Sequence, residues 1–146
     1  MRPKFKARSL GRYSRRHKPG EMNQTEQLFA DVLQADKTAG LIVEWWFECF
    51  TFKLADGCRW TPDFGLLRLD GHLAFVDVKG GGPIQDDALV KIKCAAERFF
   101  MFDFSIIKRR AKKAGGGWDI REFNGLTRGT QDAHTTDEAS QSWLPL

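Results

Sequence analysis

The sequence predicts an α/β chain of the α+β type, a mixed β-sheet flanked by helices in the order α-β-β-β-α-β-β. Three observations predict it. Two segments space their apolar residues three and four apart, as one face of a helix does. The stretch 42–79 is dense in aromatic and β-branched residues and is interrupted by two Asp-Gly turn signals. One helical segment stands between the third strand and the next, and a helical connection lets two strands run parallel. At 146 residues, 42% of them hydrophobic, the chain suits one domain with its own core.

The first helix is expected over 23–39, with Leu28, Phe29, Val32 and Leu33 on one stripe and Gly40 as its stop. Residues 42–54 (IVEWWFECFTFKL) read as one long strand. Within it Trp45 and Trp46 must face opposite ways, one toward the core and the other free to cover a dimer contact. Asp56-Gly57 turns the chain into a second strand over 60–69, and Asp70-Gly71 turns that into a third, Leu73–Lys79. Gly80-Gly81-Gly82-Pro83 breaks the pattern. A second helix follows over 86–100, carrying Leu89, Ile92, Ala96 and Phe99 on one face, and strands at 102–108 and Trp118–Phe123 complete the order.

Charge divides the chain into three parts. Residues 1–20 hold eight basic residues and no acid; residues 127–146 hold one Arg against Asp132, Asp137 and Glu138; 21–126 hold fourteen basic and sixteen acidic residues. The folded domain is expected at 21–126, between a basic arm and a polar, loose tail. The arm has too little apolar surface to fold alone, so it is expected to order only on binding. Its charge suits a polyanion, which binds such arms by releasing counterions, and Arg12, Arg15, Arg16 and Lys18 are its candidate contacts. The plainer reading is a solvated tail that aids solubility. No run of about 18 apolar residues suggests a membrane span, and the basic N-terminus lacks the apolar stretch of a secretory leader. Cys49, Cys58 and Cys94, odd in number and without metal-like spacing, read as reduced thiols of a cytoplasmic protein.

The third strand carries the chemistry. Alternation puts Ala74, Val76 and Val78 on an apolar face, and Phe75, Asp77 and Lys79 on the other. The Asp70-Gly71 hairpin brings Pro62-Asp63 alongside, with Asp63 and Asp77 at comparable heights. Pro62 cannot donate to a ladder, which predicts a splayed or bulged strand there. Two close carboxylates repel unless a cation joins them, and Mg²⁺ accepts one or two carboxylates, some waters and a phosphate. Such an ion, Mg²⁺ or Mn²⁺, would draw charge off a phosphodiester and lower the pKa of a water it holds. The main-chain carbonyl of Val78 is a further candidate ligand, and Lys79 would help position the nucleophilic water or neutralise the developing oxyanion. Taken alone, Asp-x-Lys is a weak signal that a surface salt bridge also explains.

Pro62-Asp63, thirteen intervening residues and Asp77-Val78-Lys79 resemble the signature of the PD-(D/E)xK nucleases. The wider stretch, with Thr25-Glu26-Gln27-Leu28-Phe29-Ala30, Ala39-Gly40-Leu41-Ile42, TPDF and VDVKG, resembles small phage and prophage proteins related to bacteriophage endonuclease I, a Holliday-junction resolvase. The resemblance spans about residues 21–108. It implies a restriction-endonuclease-like fold, a Mg²⁺-dependent endodeoxyribonuclease acting on branched DNA in phage recombination or replication, a homodimer, and the cytoplasm of a bacterial host. It also implies a catalytic acid on the first helix, matched by Glu26, as a metal ligand direct or through water. Glu26 lies at the edge of the helix's apolar stripe, yet Asn23-x-x-Glu26 is also a capping box, and Glu21 is the fallback acid. A nicking or restriction-like nuclease, and a non-catalytic DNA-binding module, are the alternatives.

Basic residues beyond the motif complete the candidate DNA surface. Lys91 and Lys93 on the second helix would face phosphates or only solvent. Lys108, Arg109, Arg110, Lys112 and Lys113 read as a phosphate-gripping loop between two strands. His17, His72 and His134 are scattered and suggest no catalytic base or zinc site.

Overall fold

The computed structural model describes residues 18–123; the contacts expected of Arg12, Arg15 and Arg16, and the tail over 127–146, lie outside the described residues. The elements are α1 (Gln24–Thr38), β1 (Ile42–Phe47), β2 (Phe52–Ala55), β3 (Cys58–Trp60), β4 (Phe64–Arg68), β5 (Leu73–Lys79), α2 (Asp86–Arg98), β6 (Asp103–Arg109), a 3₁₀ turn (Lys112–Ala114) and β7 (Trp118–Phe123). Five strands form one mixed sheet in the order β1-β4-β5-β6-β7. Only β5 and β6 run parallel, and α2 makes the crossover between them. The mixed α+β class is therefore observed. No helix among the described residues is long and apolar enough to cross a membrane.

Two expected strands are each divided. The stretch 42–54 breaks after Phe47, where Glu48 takes a left-handed backbone at φ 46°, and the chain leaves the main sheet. Residues 52–60 then form a separate hairpin, β2 with β3, around Asp56-Gly57. The stretch 60–69 breaks at Thr61-Pro62-Asp63 because Pro62 has no N–H for a ladder. Aromatic, β-branched composition marks both halves equally as strand, so it does not reveal where a strand changes sheets. The helices end close to expectation. Asn23 caps α1 through its side chain, and Gly40, at φ 74°, ends it while Leu41 N–H bonds Asp36 O at 2.8 Å and Gly40 N–H bonds Lys37 O at 3.1 Å.

Each face of the sheet has its own cover. On one face Ala74, Val76, Val78, Phe64 and Ile107 meet Phe29, Ala30 and Leu33 of α1; Phe29 stands edge-on to Phe64 (5.4 Å) and Trp118 (5.3 Å). On the other face Phe75, Phe104 and Ile106 are covered by Ile92, Ala95 and Ala96 of α2 and by the β2–β3 hairpin. Phe52 is the hub there, within 4.8–6.1 Å of the rings of Phe75, Phe99, Phe104, Phe102 and Trp60. Trp45 packs on the α1 side against Phe64, and Trp46 lies half-buried against Phe50. Arg68 pins the hairpin to β6, with Asp103 at 2.8 Å and Asp70 at 3.3 Å.

Gly65 in β4 is where the aromatic cover comes closest to the backbone. A Cβ there would lie 2.9 Å from two ring carbons of Phe50, which is itself packed on Trp46 and Phe75. Gly65→Ala is expected to destabilise the protein by about 1–3 kcal/mol through overpacking, measured by urea unfolding. Adding Phe50→Leu should recover part of that loss.

Candidate active site

The site begins with the interrupted ladder. β4 and β5 pair antiparallel with Phe64 opposite Val76. The same register carried outward sets Asp63 opposite Asp77 and Pro62 opposite Val78. Pro62 has no N–H to offer the Val78 carbonyl. The Val78 N–H is taken by Asp63 Oδ2, at 2.7 Å. The side chain of Asp63 thus continues the pairing that the Pro62 backbone ends, and this draws its carboxylate against β5. The carbonyl of Asp63 is held from the other side by Glu48 N–H at 2.8 Å.

Asp77 is buried, with 6% of its surface exposed, and its Oδ2 lies 2.7 Å from Lys79 Nζ. The salt bridge expected of an Asp-x-Lys pair is present, but it is not a surface one. Burying the Asp77 carboxylate costs desolvation that its attraction to the half-exposed Lys79 repays only in part, so stability alone is a weak reason for such a pair. Asp63 is pushed up to about 8, first by burial and next by the negative charge of Asp77, with a smaller push from Glu26; the Val78 N–H and Lys79 pull the other way. At neutral pH a proton therefore stands on Asp63 where a cation would relieve the same crowding.

Glu26 reaches the site from α1, which covers the opposite face of the sheet. It is buried, and both its oxygens are engaged by Asn23: Oε2 accepts from Asn23 N–H at 2.8 Å and Oε1 from Asn23 Nδ2 at 2.6 Å. The capping box is observed, and the same carboxylate stands close enough to raise Asp63. The two readings of Glu26 are thus compatible. Glu21 is exposed and lies 3.9 Å from Lys18.

The donor set fits a hard divalent cation. Among the described residues no three His, Cys, Asp or Glu side chains converge as a ready-made cluster. The site offers two carboxylates, an adjacent main-chain carbonyl and a neighbouring Glu. That is the oxygen-rich, incomplete set that Mg²⁺ takes when substrate and water supply the remainder.

The expected cations are partly gathered. Lys91, half-buried on α2, pairs with Asp87 at 2.9 Å; that bond raises its pKa, and Asp77 lies near enough to add to the rise. Lys93, two positions on, is exposed, because neighbours two apart on a helix face different ways. The run 108–110 is not a loop, as expected, but the end of β6 and the residue after it. Lys112 and Lys113 are exposed on the 3₁₀ turn. His72 sits in the hairpin turn beside Asp70.

Two contributors had little sequence signal. Asn23 was legible as a cap, but not as the group that orients Glu26. Glu48 carries the only positive φ outside glycine among the described residues. Its N–H holds Asp63, and its carboxylate accepts Gly20 N–H at 2.7 Å. The segment that joins the basic arm to the domain is thereby fastened next to the acids. Compared with protein-family models, curated proteins and solved structures, the chain matches none.

Asp63 keeps its proton to about pH 8 in the fold, against an ordinary value of 3.8. The folded chain binds more protons than the unfolded one between those values, so this group's contribution to stability falls as pH rises through them. Asp63→Asn cannot ionise but still accepts from Val78 N–H. In chelator it is expected to melt above the wild type at pH 8 and to lose that advantage at pH 4. Equal melting temperatures at pH 8 would count against carboxylate crowding.

Proposed function

We propose that this protein is a divalent-cation-dependent endonuclease that hydrolyses DNA phosphodiester bonds, of the PD-(D/E)xK type and selective for branched DNA such as a Holliday junction. The observation that carries the reading is the pair Asp63 and Asp77 at the broken end of the β4–β5 ladder, with Lys79 on Asp77. A buried Asp77 and a half-buried Asp63 crowd each other and repel a polyanion once both are ionised, unless a cation intervenes, so a simple DNA-binding surface gains nothing from them. The basic segment 1–20, joined to the domain beside the acids, supports a nucleic-acid substrate.

In this reading Asp63, Asp77 and the Val78 carbonyl would hold Mg²⁺ or Mn²⁺, with Glu26 contributing directly or through water. Such an ion would supply the positive charge that lets Asp63 ionise at neutral pH and would polarise the phosphodiester. Lys79 exchanges its bond to Asp77 for one to a non-bridging phosphate oxygen, opposing the charge that builds as water adds to phosphorus. One ester P–O bond breaks, leaving a phosphate monoester and a hydroxyl. A homodimer would match the two symmetric cleavage positions of a four-way junction, a substrate formed during phage recombination or replication.

The test is a labelled four-way junction and a matched linear duplex, incubated with Mg²⁺, Mn²⁺ or chelator. Metal-dependent cutting of the junction is expected, with little of the duplex. Cutting of duplex alone would favour a nicking or restriction-like nuclease, and binding without any cutting a DNA-binding module. Asp77→Asn, Lys79→Ala and Glu26→Gln should each slow cutting, the first two by ~10²-fold or more, with junction binding kept within a few-fold. Deleting residues 1–18 should weaken binding and flatten its salt dependence; an unchanged slope would remove the arm from the interface.

A further inference from the structure

Resting on that reading, we infer that Lys108 is the residue that grips the substrate phosphate beside Lys79, and that its basic neighbours Arg109 and Arg110 are not. β5 and β6 are parallel, with Asp77 opposite Ile106 and Lys79 opposite Lys108. Registered partners share a face and their backbones lie about 4.8 Å apart. Phe104 and Ile106 belong to the core on the α2 side, so Lys108, two further on, emerges on the face of Asp77 and Lys79. Ile107 belongs to the core on the α1 side, and Arg109 follows it to that face, opposite Trp118, whose ring meets Phe29. Arg110 is committed elsewhere: its Nε and Nη2 hold Asp119 Oδ1 at 2.9 and 2.7 Å. Asp119 is the cross-strand partner of Lys108, yet no ion pair joins them among the described residues. Lys108 is left half-buried and, among the described residues, without an ion pair, on the face that carries Asp77 and Lys79.

A second observation opens that face to a phosphate. Gly80, Gly81 and Gly82 directly follow Lys79, and none has a positive φ. A Cβ at Gly80 or Gly82 would meet nothing within 4 Å, and one at Gly81 only the Arg109 carbonyl at 3.9 Å. Neither backbone conformation nor packing asks for glycine there. What three bare residues do provide is an approach unshielded by side chains to the ends of β5 and β6, where the two lysines stand. Lys79 is bound to Asp77 before substrate arrives, whereas Lys108 is free to take a phosphate oxygen first and set the scissile group against the acids.

The experiment uses the full-length chain and compares wild type, Lys108→Ala, Lys108→Arg and Arg109→Ala, with Lys53→Ala as a control for lost surface charge. Junction binding is measured in Ca²⁺ over a range of salt, and single-turnover cutting in Mg²⁺ at saturating DNA. Lys108→Ala is expected to cut ~10- to 100-fold more slowly and to lower the salt slope of binding by about one. Lys108→Arg should restore most of both, and Lys53→Ala should change neither. Lys108→Met, which keeps the aliphatic stem, carries the same test should Lys108→Ala melt early. A Lys108→Ala protein with the wild-type rate and slope would overturn the assignment, as would an equal loss in Arg109→Ala. A wild type that cuts no DNA with either metal overturns the nuclease reading and this role with it. With a wild type that does cut, the variants alone decide the role of Lys108.

Discussion

Pro62 has no N–H, and the candidate site depends on how the sheet responds to that. The antiparallel ladder between β4 and β5 ends one residue early, at Phe64 and Val76. The Val78 carbonyl loses the donor that a regular ladder would give it, the chain leaves the ladder at Pro62, and the Val78 N–H donates to the side chain of Asp63. A buried amide must find an acceptor, and a carboxylate at this position is one. The bond that repairs the sheet therefore also brings the Asp63 carboxylate to the strand that carries Asp77. Glu48 fixes the same residue from behind through its N–H, in a left-handed conformation that a non-glycine residue adopts at a cost. Asp63 is held at its side chain and at its carbonyl by two different segments, and its carboxyl group has little freedom to move away from Asp77.

Around this point the packing is asymmetric in a way that suits chemistry. The α1 face is closed by aliphatic residues and Phe29, and the other face by an aromatic cluster centred on Phe52 and Phe75. The α1-side core reaches Val78, and at the C-terminal end of β5 Lys79 is left half-buried. Phe75, Asp77 and Lys79 lie on one face, and within two steps the surroundings pass from a fully buried ring, through a buried carboxylate, to a half-exposed ammonium. The acids thus sit where the dielectric is low enough for their repulsion to matter, next to a lysine that can still meet a ligand. That gradient accounts for Asp63 being pushed to about 8 by burial first and by Asp77 second.

The basic residues are distributed by secondary structure, not by their clustering in the chain. Lys91 and Lys93 are separated by helical geometry, and Lys108 and Arg109 by strand alternation, while Arg110 is neutralised by Asp119. Only a part of each basic run faces the acids. The arm joins the domain beside them, because Gly20 is hydrogen-bonded to Glu48, which in turn holds Asp63.

Local sequence pattern was enough for the class of fold, the two helices to within two residues of their limits, β5 and β7, and the face shared by Asp77 and Lys79. These follow from local periodicity and turn chemistry, which act within a few residues. The capping box of Asn23 and Glu26 was legible for the same reason, and so was the disturbance at Pro62. The division of 42–54 and of 60–69 between two sheets came instead from packing across the fold, since aromatic residues favour any strand alike. Packing also brought Glu48 and Glu26, distant in sequence, near Asp63, and set the register of β6 on β5 that puts Lys108 beside Lys79. Such placements depend on which segments pair across long loops, and no pattern of neighbouring residues encodes that register.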